Sequence, residues 1–390
     1  MSYPFNSKVA AAKGSPIRAF NEEIAGIKDL VKFSLGEPDY PVPAKVKAAL
    51  IQAVEDDLSS YTHSRGTLEL RQAISRYIER HYHTHYRPED EIIVAHGATG
   101  ALFSTLTALL NQGDQVIAPA PYYVAYKTQV ELNRAEFIPL DTSQNNFRLT
   151  PADLETAIQA HPRTKLILLN HPSNPTGVTY NRQELQALAQ VIQKHDLLVV
   201  SDEIYAQLTY DHAHISMAEL LPDQTILING ASKSHAMVGW RMGIIAGPKV
   251  YLDQIFKVQQ ASINTPVTPI QKASIVAYDQ CDEDIQAMVQ AYRKRRDYLL
   301  KALAPLGFAA TEPQGAFYLF VKVPDWFKGT DYDFCLQVAQ KVAVGLTPGS
   351  SFGEAGQGYF RISYAASMEN LHLLIDRLTQ FQDAYLQSNQ

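Results

Sequence analysis

The sequence predicts an α/β fold in which a mostly parallel sheet of about seven strands, flanked by helices, forms a large domain beside a smaller α+β domain. Short β-rich runs alternate with longer segments of helical periodicity through the middle of the chain, as in β-α-β units. Several of the runs, such as "LILL" and "LLVV", are almost purely aliphatic. Such runs are typical of parallel strands that helices cover on both faces.

Seven runs are predicted strands. In chain order they are Glu91–Ala95, Gln115–Ala118, Glu136–Leu140, Lys165–Leu169, Leu197–Ser201, Thr225–Asn229 and Gly243–Ala246. Between them, Pro151–Ala160 and Arg182–His195 are long enough to be crossover helices. The pattern predicts the elements but does not determine the order of the strands in the sheet.

The two ends of the chain have a different pattern. Prolines interrupt any long helix in the N-terminal segment. Beyond about residue 285, the charged helical run "QAYRKRRDYLLKAL" leads into the strand-like runs "GAFYLFVKV" and "YFRISYA". We therefore predict a large domain over residues 46–285 and a small domain, with an N-terminal arm, from residues 1–45 and 286–390.

Composition favours a globular protein that binds small molecules. Of the 390 residues, 46% are hydrophobic and 19% charged, and the net charge of −6 argues against an extended nucleic-acid surface. The two cysteines, Cys281 and Cys335, are far apart and have no metal-ligand spacing. No apolar run is long enough for a signal peptide or a membrane span. We expect a cytoplasmic protein without a disulfide, a membrane anchor or a nucleic-acid partner.

The strongest chemical signal is the run "GASKSHAMVGWRMG" at residues 230–243, directly after a predicted strand. A lysine there, Lys233, can form a Schiff base with an aldehyde cofactor if burial or neighbouring cations lower its pKa. Arg241 offers a planar fork that suits a phosphate. A surface lysine followed by an unrelated arginine is the structural alternative, and Lys233 alone does not decide between the two.

Further motifs decide it. They are "LGEPDY" (35–40), "YTHSRG" (61–66), "GATGA" (97–101), "PYY" (121–123), "NPTG" (174–177), "SDEIY" (201–205) and "YFRISYA" (359–365). With the lysine segment, they make nearly the whole chain resemble the fold-type I, pyridoxal-5′-phosphate (PLP)-dependent aminotransferases of class I/II. The resemblance is strongest to the bacterial aromatic-amino-acid and N-acetyl-diaminopimelate aminotransferases. It implies PLP as the cofactor and Lys233 as its attachment point.

The resemblance also assigns residues around the cofactor ring. Asp202 follows an apolar strand, where open α/β sheets place ligand groups, and matches the carboxylate that keeps the pyridine nitrogen protonated. A helix cap is the structural alternative for Asp202. Tyr205 and Asn174 match residues that contact the phenolic oxygen, and Tyr123 matches the aromatic residue that stacks on the ring.

Five residues are implied at the cofactor phosphate. The amides of Ala98 and Thr99 would lie at a helix N-terminus, which favours anions. Arg241 and, more weakly, Ser232 would join them. Tyr61 matches a tyrosine that reaches the phosphate from the neighbouring subunit, which implies a homodimer with shared active sites.

Four residues are implied at the substrate, and one of them, Asn174, is shared with the cofactor. Arg361, in an apolar strand, matches the arginine that binds the α-carboxylate, and the backbone of Gly36 would lie beside it. Ile17 is a candidate wall of the side-chain pocket. Further candidate lining residues are Phe20, Tyr40 and Tyr318. Because no second arginine is evident for a side-chain carboxylate, aromatic donors or an N-acyl-diaminopimelate are favoured, and aspartate remains open.

The implied reaction is a ping-pong transamination from an L-amino acid to a 2-oxo acid such as 2-oxoglutarate. Lys233, Asp202 and Tyr205 are its catalytic residues, with Lys233 moving the substrate proton. A carbon–sulfur β-lyase on the same fold would keep nearly all of these residues and is one alternative. A PLP-binding regulator is another, although neither a helix-turn-helix domain nor a basic arm is evident.

Two patterns point elsewhere and are set aside. Gly349–Gly353 fits the G-x-S-x-G elbow of hydrolases, but a Gly-rich, strand-like run follows it instead of a helix. His81, His83 and His85 alternate, and residues two apart do not share a helix face, so we expect a solvated helix end and no metal site.

Overall fold

The computed structural model describes residues 4–388 and contains, within that range, fifteen α-helices and thirteen strands. The helices are α1 (Ser7–Ala11), α2 (Pro16–Glu23), α3 (Ala44–Glu55), α4 (Leu68–Tyr82), α5 (Gly97–Leu109), α6 (Ala125–Leu132), α7 (Pro151–Ala160), α8 (Arg182–Lys194), α9 (Met217–Leu220), α10 (Ala231–Ser234), α11 (Lys249–Ile263), α12 (Thr268–Gln280), α13 (Asp282–Leu303), α14 (Asp331–Val342) and α15 (Met368–Ser388). The strands are β1 (Val31–Lys32), β2 (Ile92–His96), β3 (Gln115–Ala120), β4 (Glu136–Asp141), β5 (Thr164–Asn170), β6 (Leu198–Asp202), β7 (Thr225–Gly230), β8 (Met242–Ala246), β9 (Ala310–Thr311), β10 (Tyr318–Lys322), β11 (Val344–Gly345), β12 (Thr347–Pro348) and β13 (Tyr359–Ser363).

A seven-stranded sheet with the order β2-β8-β7-β6-β5-β3-β4 forms the centre of the molecule. It is parallel except for β8, which runs antiparallel to both of its neighbours. Each of the seven predicted strands is present, and its observed ends lie within two residues of the predicted ones. The prediction of a mostly parallel, seven-stranded sheet flanked by helices is therefore confirmed.

Helices cover both faces of this sheet, which explains its aliphatic runs. Along β6, Val199 packs into the core that α7 and α8 complete, whereas Val200 packs into the core on the opposite face with α5 and α11. Successive residues of a strand point to opposite faces, so both must be apolar when both faces are buried. All six residues of β7 are buried for the same reason.

A second core lies outside the central sheet. It is built around a four-stranded antiparallel sheet in the order β12-β13-β10-β9. Its buried residues come from both ends of the chain: Phe20 and Phe33 lie in the same cluster as residues of α13, α14 and α15. The parallel pairing of β1 with β11 joins the N-terminal segment to this part of the molecule. The domain boundaries near residues 46 and 285 stay a prediction.

Cys281 and Cys335 are both free and buried. Among residues 4–388, no helix has the length and apolar character that a membrane span requires.

Candidate active site

The candidate site lies where β5, β6 and β7 end. Because these neighbouring strands are parallel, their carboxyl ends meet at one edge of the sheet. β6 ends at Asp202, and β7 ends at Gly230, directly before the short helix α10 that carries Lys233. A side chain at Gly230 would not fit, since a Cβ there would lie 2.5 Å from the carbonyl oxygen of Met242 on β8.

The Lys233 amine points at other predicted site residues. Its Nζ donates a hydrogen bond to the carbonyl oxygen of Gly36, at 2.5 Å, and lies 5.8 Å from the centre of the Tyr205 ring. The Tyr205 hydroxyl is in turn 2.8 Å from the hydroxyl of Tyr318. The lysine, the "LGEPDY" turn and the tyrosine of "SDEIY" are thus brought together.

The Lys233 amine is also electrostatically prepared for chemistry. Burial lowers its pKa to about 8, Arg361 and Arg241 push it in the same direction, and Glu37 opposes them. An amine with this pKa is partly neutral near physiological pH, and only the neutral form is a nucleophile or a base.

Asp202 is buried and has few hydrogen-bond donors. Its Oδ2 accepts a hydrogen bond from the hydroxyl of Tyr126 at 2.6 Å, and its Oδ1 accepts one from the Ile204 amide at 3.3 Å. Burial raises the pKa of Asp202 to about 6, although both hydrogen bonds oppose the rise. The sequence did not indicate Tyr126, because a tyrosine in an apolar segment usually belongs to the core.

A positive site forms where α5 begins. The first-turn amides of this helix, including those of Ala98 and Thr99, have no partner within the helix and point out of its N-terminus. The Arg241 guanidinium packs against the turn so closely that a Cβ at Gly97 (φ +70°) would lie 2.5 Å from its Nη2. Arg241 itself has φ +56°, in the left-handed region, and caps the end of a short 3₁₀ turn.

Of the other predicted cofactor residues, two lie beside the residues described above and one is exposed on the surface. Tyr123 packs edge-on against Tyr126, with ring centres 5.5 Å apart, and burial raises the pKa of its hydroxyl. Ser232 is buried in α10, next to Lys233. Tyr61 is 84% exposed, so this single chain does not bring it into contact with the others.

Arg361 on β13 is a buried cation without a carboxylate partner among residues 4–388. Its Nη1 donates to Asn174 Oδ1 at 2.7 Å, its Nη2 donates to the carbonyl of Ser34 at 2.8 Å, and its Nε has no partner in the same range. The rings of Tyr318 and Phe352 flank the guanidinium at 4.3 and 4.9 Å. An arginine in this setting is stabilised by an anion that can take its free donors.

The pocket wall agrees only in part with the sequence prediction. Ile17 packs against the cluster that contains Phe352, and Tyr318 lies at the site, as expected. Phe20 and Tyr40 pack in the second core or at its margin, in a cluster that also contains Tyr205 and Tyr318.

Behind Asp202 lies a buried cluster that the sequence did not reveal. Glu203 is fully buried and accepts hydrogen bonds from Ser201 at 2.7 Å, Ser216 at 3.0 Å and His214 at 2.8 Å. His171 Nε2 lies 3.5 Å from the same carboxylate. Burial raises the pKa of Glu203, but the two histidines and their hydrogen bonds outweigh it, and the net pKa is below its usual value.

This cluster has the donor types of a metal site but the bonding of a hydrogen-bond network. The candidate ligand atoms of His171, Glu203 and His214 lie within 4.8 Å of one another. Histidines that bind a metal almost always donate a hydrogen bond from the second ring nitrogen. Here neither Nδ1 has a partner among the described residues, and the carboxylate already accepts several donors. The Glu203 carboxylate is therefore satisfied by hydrogen bonds, and the cluster has a structural role at the end of β6.

The structure also describes the G-x-S-x-G run and the histidine-rich run. Gly349–Phe352 forms a 3₁₀ turn, and β13 rather than an α-helix is the next regular element after a second short turn. α4 ends at Tyr82, with His83 in a left-handed cap, and His81 bonds to Asp282.

The fold and the site geometry together define a class of protein. The chain belongs to the aminotransferase class I and II family, whose sequence model matches residues 28–378. It is 39% identical to a probable N-acetyl-LL-diaminopimelate aminotransferase of Bacillus subtilis (strain 168), over 98% of this chain and 96% of the relative.

Solved structures agree. An aspartate aminotransferase from Thermus thermophilus with maleate superposes with a TM-score of 0.92 at 34% identity, covering 97% of this chain and 100% of the other. An aromatic aminotransferase from Pyrococcus horikoshii OT3 gives a TM-score of 0.88 at 32% identity, covering 94% and 99%. The predicted family, aminotransferase activity and two-domain fold are confirmed.

Enzymes of this family use PLP, so the predicted cofactor is also confirmed. The residues present fit it. The crowded, positive turn formed by Arg241, Gly97 and the α5 N-terminus suits a phosphate dianion. A buried lysine with a lowered pKa and a buried carboxylate with few donors add the groups that suit an aldehyde carbon and a protonated ring nitrogen.

Proposed function

We propose that this aminotransferase takes the amino group of an L-amino acid with a long or aromatic side chain, either an aromatic amino acid or an N-acyl-diaminopimelate, and passes it to a 2-oxo acid such as 2-oxoglutarate. The observation that carries the amino-acid part of the proposal is the setting of Arg361, a buried cation flanked by two aromatic rings and lacking a carboxylate partner among residues 4–388, which an α-carboxylate would supply. The names of the relatives support the substrate classes, and they also include aspartate as a donor.

The side chains around the β-strand ends would hold the cofactor ring. Lys233 would attach it, Asp202 would pair with its nitrogen, Tyr205 and Asn174 would contact its oxygen, and Tyr123 would stack on its face. PLP, when bound, supplies an aldehyde carbon and a ring that accepts the electrons left when the substrate Cα–H bond breaks. An ionised Asp202 favours that electron flow because its negative charge stabilises a protonated ring nitrogen.

The cofactor phosphate would lie at the N-terminus of α5. The amides of Ala98 and Thr99 would donate hydrogen bonds to it, and Arg241 would supply positive charge and a bidentate fork. Ser232, beside Lys233, adds a hydroxyl to this end of the site. Fixing the phosphate fixes the ring relative to the lysine, which reduces the entropy that orientation would otherwise cost.

The substrate is held by its α-carboxylate and loses its Cα proton to Lys233. Arg361 binds the carboxylate through its fork, beside the Gly36 backbone and with Ile17 at the side-chain wall. With PLP bound, Lys233 Nζ would accept the proton from the substrate Cα, and the cofactor ring would take the electron pair of the broken C–H bond. A pKa of about 8 leaves a useful fraction of the amine neutral near pH 7 to 8.

Tyr61 completes the phosphate site of a second copy in a homodimer. It is one of several large apolar side chains on the surface that are more than half exposed. The Thr268 hydroxyl donates to the Ser60 carbonyl at 2.8 Å, so Tyr61 and the exposed Val267 lie near each other. Exposed apolar surface of this kind is typical of an interface.

Hybrid dimers test the shared site. A Tyr61→Ala variant is mixed with a Lys233→Ala variant under conditions in which subunit exchange is demonstrated by mass spectrometry. One site of each hybrid then carries neither substitution, and we expect part of the activity to return. Failure to recover activity after demonstrated exchange contradicts the contribution of Tyr61 across the dimer.

A donor panel tests the substrate proposal. Phenylalanine, tyrosine, N-acetyl-LL-diaminopimelate and aspartate are compared with 2-oxoglutarate as acceptor. We expect an aromatic or acylated donor to exceed aspartate by about tenfold in kcat/KM, or about 1.4 kcal/mol. Preference for aspartate by that margin contradicts the pocket assignment but leaves the family assignment intact. Cystathionine without an oxo acid is the control, and pyruvate release from it would indicate lyase activity.

A further inference from the structure

Tyr126 contacts Asp202 from a helix that none of the sequence motifs covers. The tyrosine lies in α6, is fully buried, and places its hydroxyl 2.6 Å from Asp202 Oδ2. We infer that Tyr126 is a positioning residue: its hydroxyl orients the Asp202 carboxylate and sets the affinity of that carboxylate for a proton. The inference rests on the role proposed above for Asp202.

The direction of this hydrogen bond is fixed by the surroundings. Burial and the neighbouring Asp202 charge raise the pKa of Tyr126 well above its usual value, so the phenol keeps its proton and donates it. The other hydrogen bond to the carboxylate, from the Ile204 amide, is longer at 3.3 Å. Among residues 4–388, Tyr126 is the one side chain that donates to the Asp202 carboxylate. A short bond to a charged acceptor is among the stronger hydrogen bonds in proteins.

The same helix braces two other parts of the site. The Tyr126 ring packs edge-on against Tyr123, the expected stacking residue, at 5.5 Å and 85°. One turn further along α6, the Gln129 amide donates to the Thr99 carbonyl at 3.2 Å, at the first turn of α5. α6 therefore links the carboxylate, the stacking ring and the phosphate-facing turn.

The hydrogen bond from Tyr126 stabilises the charged form of Asp202 against burial. Burial favours the neutral acid at Asp202, and the Tyr126 hydroxyl is the largest opposing contribution. Without the hydroxyl, Asp202 binds a proton more tightly and is less able to leave that proton on the ring nitrogen of the cofactor. A tyrosine that only filled the core would leave this balance unchanged.

The test compares three variants of the full-length enzyme with bound cofactor. Tyr126→Phe removes only the hydroxyl. Tyr122→Phe is the matched control, because Tyr122 is also buried and packs on Phe137 at 4.7 Å, in a different contact. Asp202→Asn is the reference for complete loss of the carboxylate charge. The readout is the absorbance of the bound cofactor as a function of pH, without substrate.

We expect the midpoint of the Tyr126→Phe titration to move in the same direction as that of Asp202→Asn, by about half to one pH unit. Turnover should fall roughly tenfold in kcat, with KM changed much less, because the bond acts on the reacting ring and not on substrate affinity. The titration midpoint of Tyr122→Phe should be the same as that of the wild type.

Two results are contrary. If Tyr126→Phe titrates with the wild type while Asp202→Asn is shifted, the inference is overturned and the role of Asp202 stands. If Asp202→Asn is not shifted either, the proposed role of Asp202 fails, and the positioning role of Tyr126 fails with it.

Discussion

Asp202 and Glu203 are consecutive buried carboxylates at the end of β6, yet their surroundings differ in nearly every respect. Asp202 accepts one side-chain and one backbone hydrogen bond, and burial raises its pKa to about 6. Glu203 accepts from two serine hydroxyls, a backbone amide and histidine, and its pKa is lower than usual. The comparison teaches that a poorly satisfied buried charge indicates a binding partner, whereas a saturated one indicates a structural role.

The neighbours of each residue extend the contrast. On the Asp202 side lie Lys233, with a pKa lowered to about 8, and Arg361, without a carboxylate partner among residues 4–388. On the Glu203 side, His171 and His214 stack at 4.9 Å within a closed core. We therefore expect substitutions on the first side to reduce catalysis and those on the second side to reduce stability.

Lys233→Ala gives the largest expected effect. Removal of the amine eliminates both the covalent attachment of the cofactor and the base, so turnover should fall by at least about 1,000-fold, or roughly 4 kcal/mol. The unfolding temperature of the variant should stay close to that of the wild type, because a buried amine near Arg361 and Arg241 adds little to stability. Residual turnover above a tenth of wild type contradicts the assignment.

Asp202→Asn should separate activity from folding. The amide keeps the shape but cannot stabilise a proton on the cofactor nitrogen, so the half-reaction rate should fall on the order of 100-fold, or about 3 kcal/mol. The free energy of unfolding should change by less than about 1 kcal/mol, since a costly buried charge is also removed. Stopped-flow half-reactions and denaturant unfolding measure the two quantities, and a near wild-type half-reaction is the contrary result.

Glu203→Gln should show the reverse pattern. The amide brings donor hydrogens to a place where Ser201, Ser216 and His214 already donate, so unfolding at pH 7 should become easier by about 3 kcal/mol. The folded pKa of Glu203 lies below the unfolded value of about 4.3. The contribution of Glu203 to folding stability is therefore complete above the unfolded pKa, and it is lost as the pH falls through the folded pKa. Denaturant unfolding at several pH values measures the free energy of unfolding. A variant that loses activity without being destabilised would contradict the structural role of Glu203.

Ser216→Ala should give the smallest effect. It removes one of the donors to Glu203 and also the cap of the four-residue helix α9, so we expect a loss of about 1 to 2 kcal/mol in stability. The kcat of the variant at 25 °C should remain within about twofold of wild type, because the Ser216 hydroxyl bonds to Glu203 and a twofold change already requires about 0.4 kcal/mol at the reacting groups. A larger loss of kcat would mean that the Glu203 network reaches the chemistry.

The sequence could predict what depends on local pattern. Aliphatic runs bounded by turns located β5 and β6, and motif order singled out Lys233 and Arg361 as candidates that the structure finds buried near each other. It could not predict Tyr126 or the Glu203 cluster, because a tyrosine or histidine in an apolar segment has no local signature. The strand order and the packing of α6 against the end of β6 create these contacts, and they depend on long-range topology. Tyr61 stays a prediction for another reason, since its expected partner belongs to a second chain.

The attachment of the cofactor to Lys233 is the central claim, and one chemical measurement tests it directly. The purified enzyme with bound cofactor is reduced with borohydride, which makes the link between cofactor and lysine permanent, and is then digested and mapped by mass spectrometry. We expect the pyridoxyl label on Lys233, in the segment between β7 and β8. A label on any other lysine, with Lys233 unmodified, would contradict the account.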